Sequence, residues 1–101
     1  MSDALLENVS TLAAQMQDLA RQAHAGYAVE VDAVIAARSR NVRHIERLLD
    51  GILDFCFDDA MVQLFKRLCR YYYTLDPTAT AEYVHSYRDM WDGEEEEVAD
   101  G

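Results

Sequence analysis

Apolar residues near the start of the chain recur in alternating steps of four and three positions. From Asp3 onward they fall at Leu5, Val9, Leu12, Met16, Leu19 and Ala23. This heptad spacing lines one side of an α-helix and is typical of a helix that packs along a neighbouring helix. Ser2 or Asp3 can cap the helix, and an acid in its first turn suits the positive end of the helix dipole. We therefore predict a helix from residue 3, either within a bundle or as part of a coiled coil.

A second apolar pattern runs from Tyr27 to Ile52, and no proline, Asn-Gly pair or serine cluster separates it from the first. Gly26 is the one candidate for a break between them. The two patterns indicate either a helical hairpin or one long helix that passes through Gly26. Gly51 interrupts the second pattern near its end, where it can be a kink, a point of close packing or a C-terminal cap.

Two junctions led by aspartate predict where the last two helices begin. In Phe57-Asp58-Asp59, Asp58 is expected to cap a third helix. Asp76-Pro77 is expected to end that helix and begin a fourth, because proline suits the first helical position. The apolar stripe of the third helix is Met61, Phe65, Leu68, Tyr72 and Leu75. The fourth helix is expected to bury Thr80, Tyr83, Val84, Tyr87, Met90 and Trp91.

These patterns and the composition together predict an all-α protein. Four glycines and one proline in 101 residues are too few turn residues for a β-rich domain of this size. The chain is long enough for one domain and too short for two. We predict a small three- or four-helix bundle over residues 1–91, with a long N-terminal helix or helical hairpin, and a disordered acidic C-terminal tail over residues 92–101.

The net charge of −10 is unevenly distributed along the chain. Residues 92–101 carry six acids and no base, whereas residues 1–91 carry thirteen acids and nine bases. Such a tail cannot bury apolar surface, and it is therefore predicted to be disordered. Its acidic run is Glu94, Glu95, Glu96 and Glu97.

The expected location is the cytoplasm, without membrane contact. No segment approaches the ~20 apolar residues that span a bilayer, and the N-terminus lacks the basic and apolar regions of a secretory signal. Cys56 and Cys69 each lie in an apolar run, so we expect buried free thiols rather than a disulfide framework.

Motifs for catalysis or for a bound cofactor are missing from the sequence. It contains no Gly-x-Ser-x-Gly, no Gly-rich phosphate loop, and no Cys-x-x-Cys or His-x-x-x-His spacing for zinc. Glu82 and His85 match half of a di-iron ligand set, but the second Glu-x-x-His pair that such a site needs is absent. We therefore expect no enzyme, no metal and no cofactor.

Two sets of residues are instead candidate binding surfaces. The first is basic and suits phosphate or carboxylate groups. It comprises Arg40, Arg43 and Arg47 on the second helix and Lys66, Arg67 and Arg70 on the third. The second set is a candidate protein interface, because tyrosines that flank a buried stripe point away from the core. It comprises Leu5, Val9, Leu12, Met16, Leu19, Tyr71 and Tyr73.

Three hypotheses about function follow. The first is a non-enzymatic protein-interaction module that forms a homodimer, or binds a protein partner, through helix one and the Tyr-rich helices three and four. The second is an acidic nucleic-acid mimic that inhibits a DNA-targeting protein. The third is a nucleic-acid-binding regulator that uses the basic residues of helix two or helix three. Net negative charge disfavours the third hypothesis, and the acidic tail could mask those basic faces.

Overall fold

The computed structural model describes residues 2–92, with the side chains of residues 3–92. Within that range the chain forms four α-helices and no β-strand. The helices are α1 (Ser2–Ala36), α2 (Val42–Leu53), α3 (Asp59–Tyr73) and α4 (Pro77–Trp91). The prediction of an all-α fold with a long N-terminal helix is confirmed. The acidic run Glu94 to Glu97, predicted to be disordered, lies outside the described residues.

The first break in the helical chain lies after Ala36 rather than at Gly26. α1 passes through Gly26, so the long-helix alternative is confirmed at that point. The expectation of one continuous pattern from Tyr27 to Ile52 is wrong, because the chain turns between residues 37 and 41. Arg38 has a φ of 52°, and the Asn41 side chain caps α2 by accepting a hydrogen bond from the backbone N–H of His44. Both features end one helix and begin the next.

The core lies around α3, which contacts each of the other three helices. Four of the five residues predicted for its apolar stripe are buried, and Leu75 is half-buried just beyond the helix. Both predicted caps are confirmed. Asp58 accepts a hydrogen bond from the Met61 N–H at 3.2 Å, and Asp76 accepts one from the Ala79 N–H at 3.0 Å. The sequence therefore positions α3 and α4 through local cap chemistry.

The last turn of α4 is more exposed than its apolar residues predict. Tyr83 and Tyr87 of α4 are half-buried against the core, and the Trp91 indole N–H donates to the Leu53 carbonyl at 2.9 Å. Trp91 is 37% exposed and Met90 is 49% exposed, so the expectation that both are buried is wrong. The bond from Trp91 nevertheless ties the end of α4 to α2.

The two helical glycines are expected to respond in opposite ways to alanine. No atom lies within 4 Å of a Cβ added at Gly26, so Gly26→Ala should raise the free energy of unfolding by about 0.5–1 kcal/mol through helix propensity. A Cβ added at Gly51 would lie 2.7 Å from Cζ of Tyr27, which assigns Gly51 to close packing. Gly51→Ala should therefore lower the free energy of unfolding by about 1–2 kcal/mol as the ring is displaced. Urea denaturation measures both changes, and stabilisation of both variants would contradict the close contact.

Candidate interaction surfaces

The N-terminal half of α1 extends beyond the rest of the bundle. α1 has 35 residues and is about 52 Å long at 1.5 Å per residue. This length matches the longest dimension of the molecule, 54 Å. α2, α3 and α4 have 12 to 15 residues and are only about 18–22 Å long. α2 and α3 cover the C-terminal part of α1, where Ala20 is the first buried residue, and residues 3–19 are all exposed.

The exposed half of α1 carries five large apolar side chains on one face, here called the α1 stripe. They are Leu5, Val9, Leu12, Met16 and Leu19. Their exposed fractions lie between 41% and 65%. Apolar stripes of this kind mark interaction sites, since monomeric proteins rarely expose large contiguous apolar patches. Complete burial of one such side chain is worth about 1.5–3 kcal/mol. Covering all five would offset a large part of the ~4–15 kcal/mol cost of association.

The residues beside the α1 stripe are uncharged. One flank consists of small and apolar residues, including Leu6, which the heptad pattern does not contain and which is 63% exposed. The charged residues of this segment lie on the opposite face, where Arg21 pairs with Asp18. A surface with this chemistry suits an apolar helix rather than a charged ligand. The flanking residues are Leu6, Ala13 and Ala20 on one side and Asn8, Gln15 and Gln22 on the other.

The two tyrosines of the predicted interface lie far from the α1 stripe. The Tyr71 hydroxyl donates to the Ser39 carbonyl at 2.6 Å, which anchors α3 to the loop after α1. Tyr73 is 60% exposed at the same end of α3. Ser39 is twenty residues beyond Leu19, so this end of the bundle lies roughly 25 Å or more along α1 from the stripe. The structure does not bring the stripe and the tyrosines into one surface.

A groove of about 390 Å³ between α3 and α4 combines an apolar floor with basic side chains. Its lining includes Lys66 and Arg70 from α3 and Arg88 from α4. Arg67 turns to the other side of α3 and pairs with Asp32 of α1. The predicted basic face of helix three is thus divided between two sides. The sequence analysis did not identify Arg88, because this residue comes close to Lys66 and Arg70 only when α4 packs on α3.

The three arginines predicted for helix two do not form a single helical stripe. Arg40 lies in the loop before α2, and it borders a cleft that also contains Arg38 and Tyr71. Arg43 and Arg47 are exposed one turn apart on α2 itself. The placement of Arg40 on helix two is therefore wrong. The capping of α2 at Asn41 accounts for this, because the helix begins at Val42, two residues after Arg40.

Two tyrosines join α2 to α3 and α4 through carboxylates. The buried Tyr72 hydroxyl donates to Oε2 of Glu46 at 2.5 Å, and the Tyr83 hydroxyl donates to Oδ1 of Asp50 at 2.8 Å. Burial, and next the hydrogen bonds to these carboxylates, raise the pKa of both tyrosines above the usual range. Both phenols therefore remain protonated at neutral pH, and their role in the described structure is to hold three helices together.

The two thiols are free and buried, as predicted. Burial raises the pKa of Cys56 to about 11 and that of Cys69 to about 12, with a further contribution to Cys69 from the neighbouring Cys56. Because the thiolate is the nucleophile, both side chains are weakly reactive at neutral pH. His85 is exposed and lies 3.6 Å from Asp89. Among residues 2–92, no group of three or more His, Cys, Asp and Glu side chains is arranged to hold a metal ion.

Comparisons of the chain with models of protein families, with curated proteins and with solved structures find no match. None of the helices described here combines the length and the apolar character that crossing a membrane requires. Of the candidate surfaces described above, the α1 stripe is the one made of five large, exposed apolar side chains.

Proposed function

We propose that the protein is a non-enzymatic interaction module that associates with itself, or with a helical partner, through the α1 stripe. The observation that supports this proposal is the exposure of all five predicted heptad positions, Leu5 to Leu19, on a helix that continues into a packed bundle. No other element among residues 3–92 covers these side chains. They are therefore available to a second molecule.

The spacing of the stripe favours a helix as the partner. Side chains that repeat every 3.5 residues pack into the spaces between the side chains of a second helix. The segment over residues 3–19 also has little tertiary support, and isolated helices of about 12–15 residues are only marginally stable in water. A partner helix would therefore stabilise the helical conformation of this segment while burying its apolar face.

The two alternative hypotheses gain less support. The nucleic-acid mimic depends on Glu94 to Glu97, outside the described residues, and on the acids Asp50, Asp54, Asp58 and Asp59. Two of these four acids already have partners within the fold. Asp50 accepts the Tyr83 hydroxyl, and Asp58 caps α3. Direct nucleic-acid binding depends on basic side chains that the fold distributes over separate faces. Neither hypothesis has a surface as continuous as the α1 stripe.

Sedimentation equilibrium of paired variants tests the proposal. Leu12→Asp combined with Met16→Asp places charges within the stripe, where an apolar contact would desolvate them. We expect wild type to associate at micromolar concentration, and the stripe variant to bind about 100-fold or more weakly. Ser10→Asp with Ala14→Asp adds the same charges to the opposite face of α1 and is expected to associate like wild type.

A fluorescent amphipathic peptide with leucine at each heptad a and d position extends the test to partners other than a second copy. Binding of this peptide to wild type and to the Ser10→Asp/Ala14→Asp control, but not to the stripe variant, would support the proposal. The proposal fails if wild type remains monomeric and binds the peptide no better than the Leu12→Asp/Met16→Asp variant does.

A further inference from the structure

We infer that the helix bound by the α1 stripe is the same segment of a second copy of the chain, lying antiparallel to the first. This inference rests on the proposed function and specifies its partner. It depends on three properties of α1: the register of its apolar residues, the position of its own bundle, and the distribution of its charges.

The apolar residues of the stripe complement themselves in an antiparallel register. When Leu12 of one copy faces Met16 of the other, Val9 faces Leu19 and Leu5 faces Ala23. A two-fold axis repeats each of these contacts, so every side chain of the stripe acquires an apolar neighbour. The same axis places Gln15 beside Gln15 of the other copy, where two amides can exchange hydrogen bonds. The uncharged flanks introduce no repulsion between the copies.

The bundle leaves room for an antiparallel partner and obstructs a parallel one. The face of α1 that carries the stripe is only half-buried at Ala23, and beyond it, at Tyr27 and Val31, it packs into the protein's own core. A parallel partner helix in register would run onward into this occupied face. An antiparallel partner instead reaches its own N-terminal turn level with residues 23–26. Leu5 and Leu6 of the second copy can then pack at the edge of the core.

Charge along α1 also favours the antiparallel arrangement. Asp3 and Glu7 lie near the N-terminus, and Arg21 is the only lysine or arginine of the helix. Antiparallel pairing places the acidic N-terminal turns of the two copies at opposite ends of the paired segment and opposes the two helix dipoles. Parallel pairing would instead place both acidic ends side by side. The paired segment over residues 5–23 is about 27 Å long, with one bundle and its α3–α4 groove at each end.

Disulfide trapping in the full-length chain tests both the partner and its direction. Val9→Cys and Leu19→Cys are prepared as separate variants, allowed to exchange subunits, and treated with a mild thiol oxidant. An antiparallel pair brings position 9 of one copy to position 19 of the other, so cross-linked dimers are expected only in the mixture. Wild type, whose Cys56 and Cys69 are buried, and Ala14→Cys on the opposite face are the matched controls and are expected to remain uncross-linked.

The other outcomes separate failure of this inference from failure of the proposed function. Cross-linking of each variant alone would show a parallel pair, which overturns the inference while self-association stands. A monomer in sedimentation that binds the amphipathic peptide would also overturn it, because the partner would then be another protein. Absence of cross-links in the mixture, from a chain that sediments as a dimer, would overturn the inferred pairing. If the Leu12→Asp/Met16→Asp variant then dimerises as well as wild type, the contact lies on another face and the proposed function fails too.

Discussion

Leu68→Ala is expected to lower the free energy of unfolding by about 2–5 kcal/mol, because Leu68 is fully buried on the central helix α3. The loss combines the transfer free energy of the missing methyl groups with the cost of the cavity that remains in the core. Small domains are stable by only about 5–15 kcal/mol, so this change removes a large share of the total. The melting temperature should fall by roughly 10 °C or more, as thermal unfolding followed by circular dichroism would measure.

Leu12→Ala is the matched control, since it makes the same chemical change on the α1 stripe. Leu12 is 57% exposed, and alanine is at least as favourable as leucine within a helix. At concentrations where the chain is monomeric, its free energy of unfolding should change by no more than about 0.5 kcal/mol. At concentrations where the chain associates, Leu12→Ala should lose stability, because association stabilises only the folded state. If Leu12→Ala and Leu68→Ala lowered the free energy of unfolding equally in dilute solution, this result would contradict the exposure of the α1 stripe.

The contrast between Leu12 and Leu68 shows what apolar periodicity can predict. Both residues lie on apolar stripes with helical spacing, so in both cases the sequence correctly predicts one apolar face of a helix. The pattern does not contain the information about what covers that face. In this chain the cover depends on the lengths of α2, α3 and α4, which are too short to reach the first half of α1. One stripe is therefore a core and the other a candidate interface.

Local chemistry predicted helix ends better than it predicted contacts. Asp58 and Asp76 cap helices through their own neighbours within three residues, so sequence alone locates both junctions. Asn41 caps α2 by the same chemistry, but the apolar residues on either side of it continue a helical spacing and obscure the break.

Contacts between distant segments were beyond the reach of sequence reasoning. The Tyr71–Ser39 bond and the Arg67–Asp32 pair join residues 32 and 35 positions apart. The sequence around each of these residues does not indicate which distant residue it will contact. For the same reason the basic residues around Arg70 could be identified as candidates, while their division between two sides of α3 and the addition of Arg88 required the fold.

The protein is expected to unfold in alkaline solution as its buried thiols and phenols ionise. Unfolding returns cysteine and tyrosine to pKa values near 9 and 10, whereas burial raises the pKa of Cys56 to about 11 and that of Tyr72 above the usual range. Between these values the folded state retains protons that the unfolded state has released, so stability falls as pH rises. Below about pH 9 these groups are protonated in both states and their stabilising contribution is complete. Above that pH, each buried group lowers the free energy of unfolding by up to about 1.4 kcal/mol per pH unit until it ionises in the folded state.

Urea denaturation at successive pH values from neutral to strongly alkaline measures this slope, and phenylalanine variants separate the phenols from the thiols. Tyr72→Phe removes the hydrogen bond to Glu46, and it should cost about 1.5–3 kcal/mol at neutral pH because the lost acceptor is charged. Its stability should nevertheless fall less steeply above pH 10, since one ionising group is gone. The curves of wild type and Tyr72→Phe should therefore converge as pH rises. Tyr73→Phe is the control for loss of an exposed hydroxyl, and it should change the free energy of unfolding at neutral pH by no more than about 0.5 kcal/mol. A curve for Tyr72→Phe that runs parallel to wild type would show that the Tyr72 hydroxyl ionises equally easily in the folded and unfolded states, contrary to its burial against Glu46.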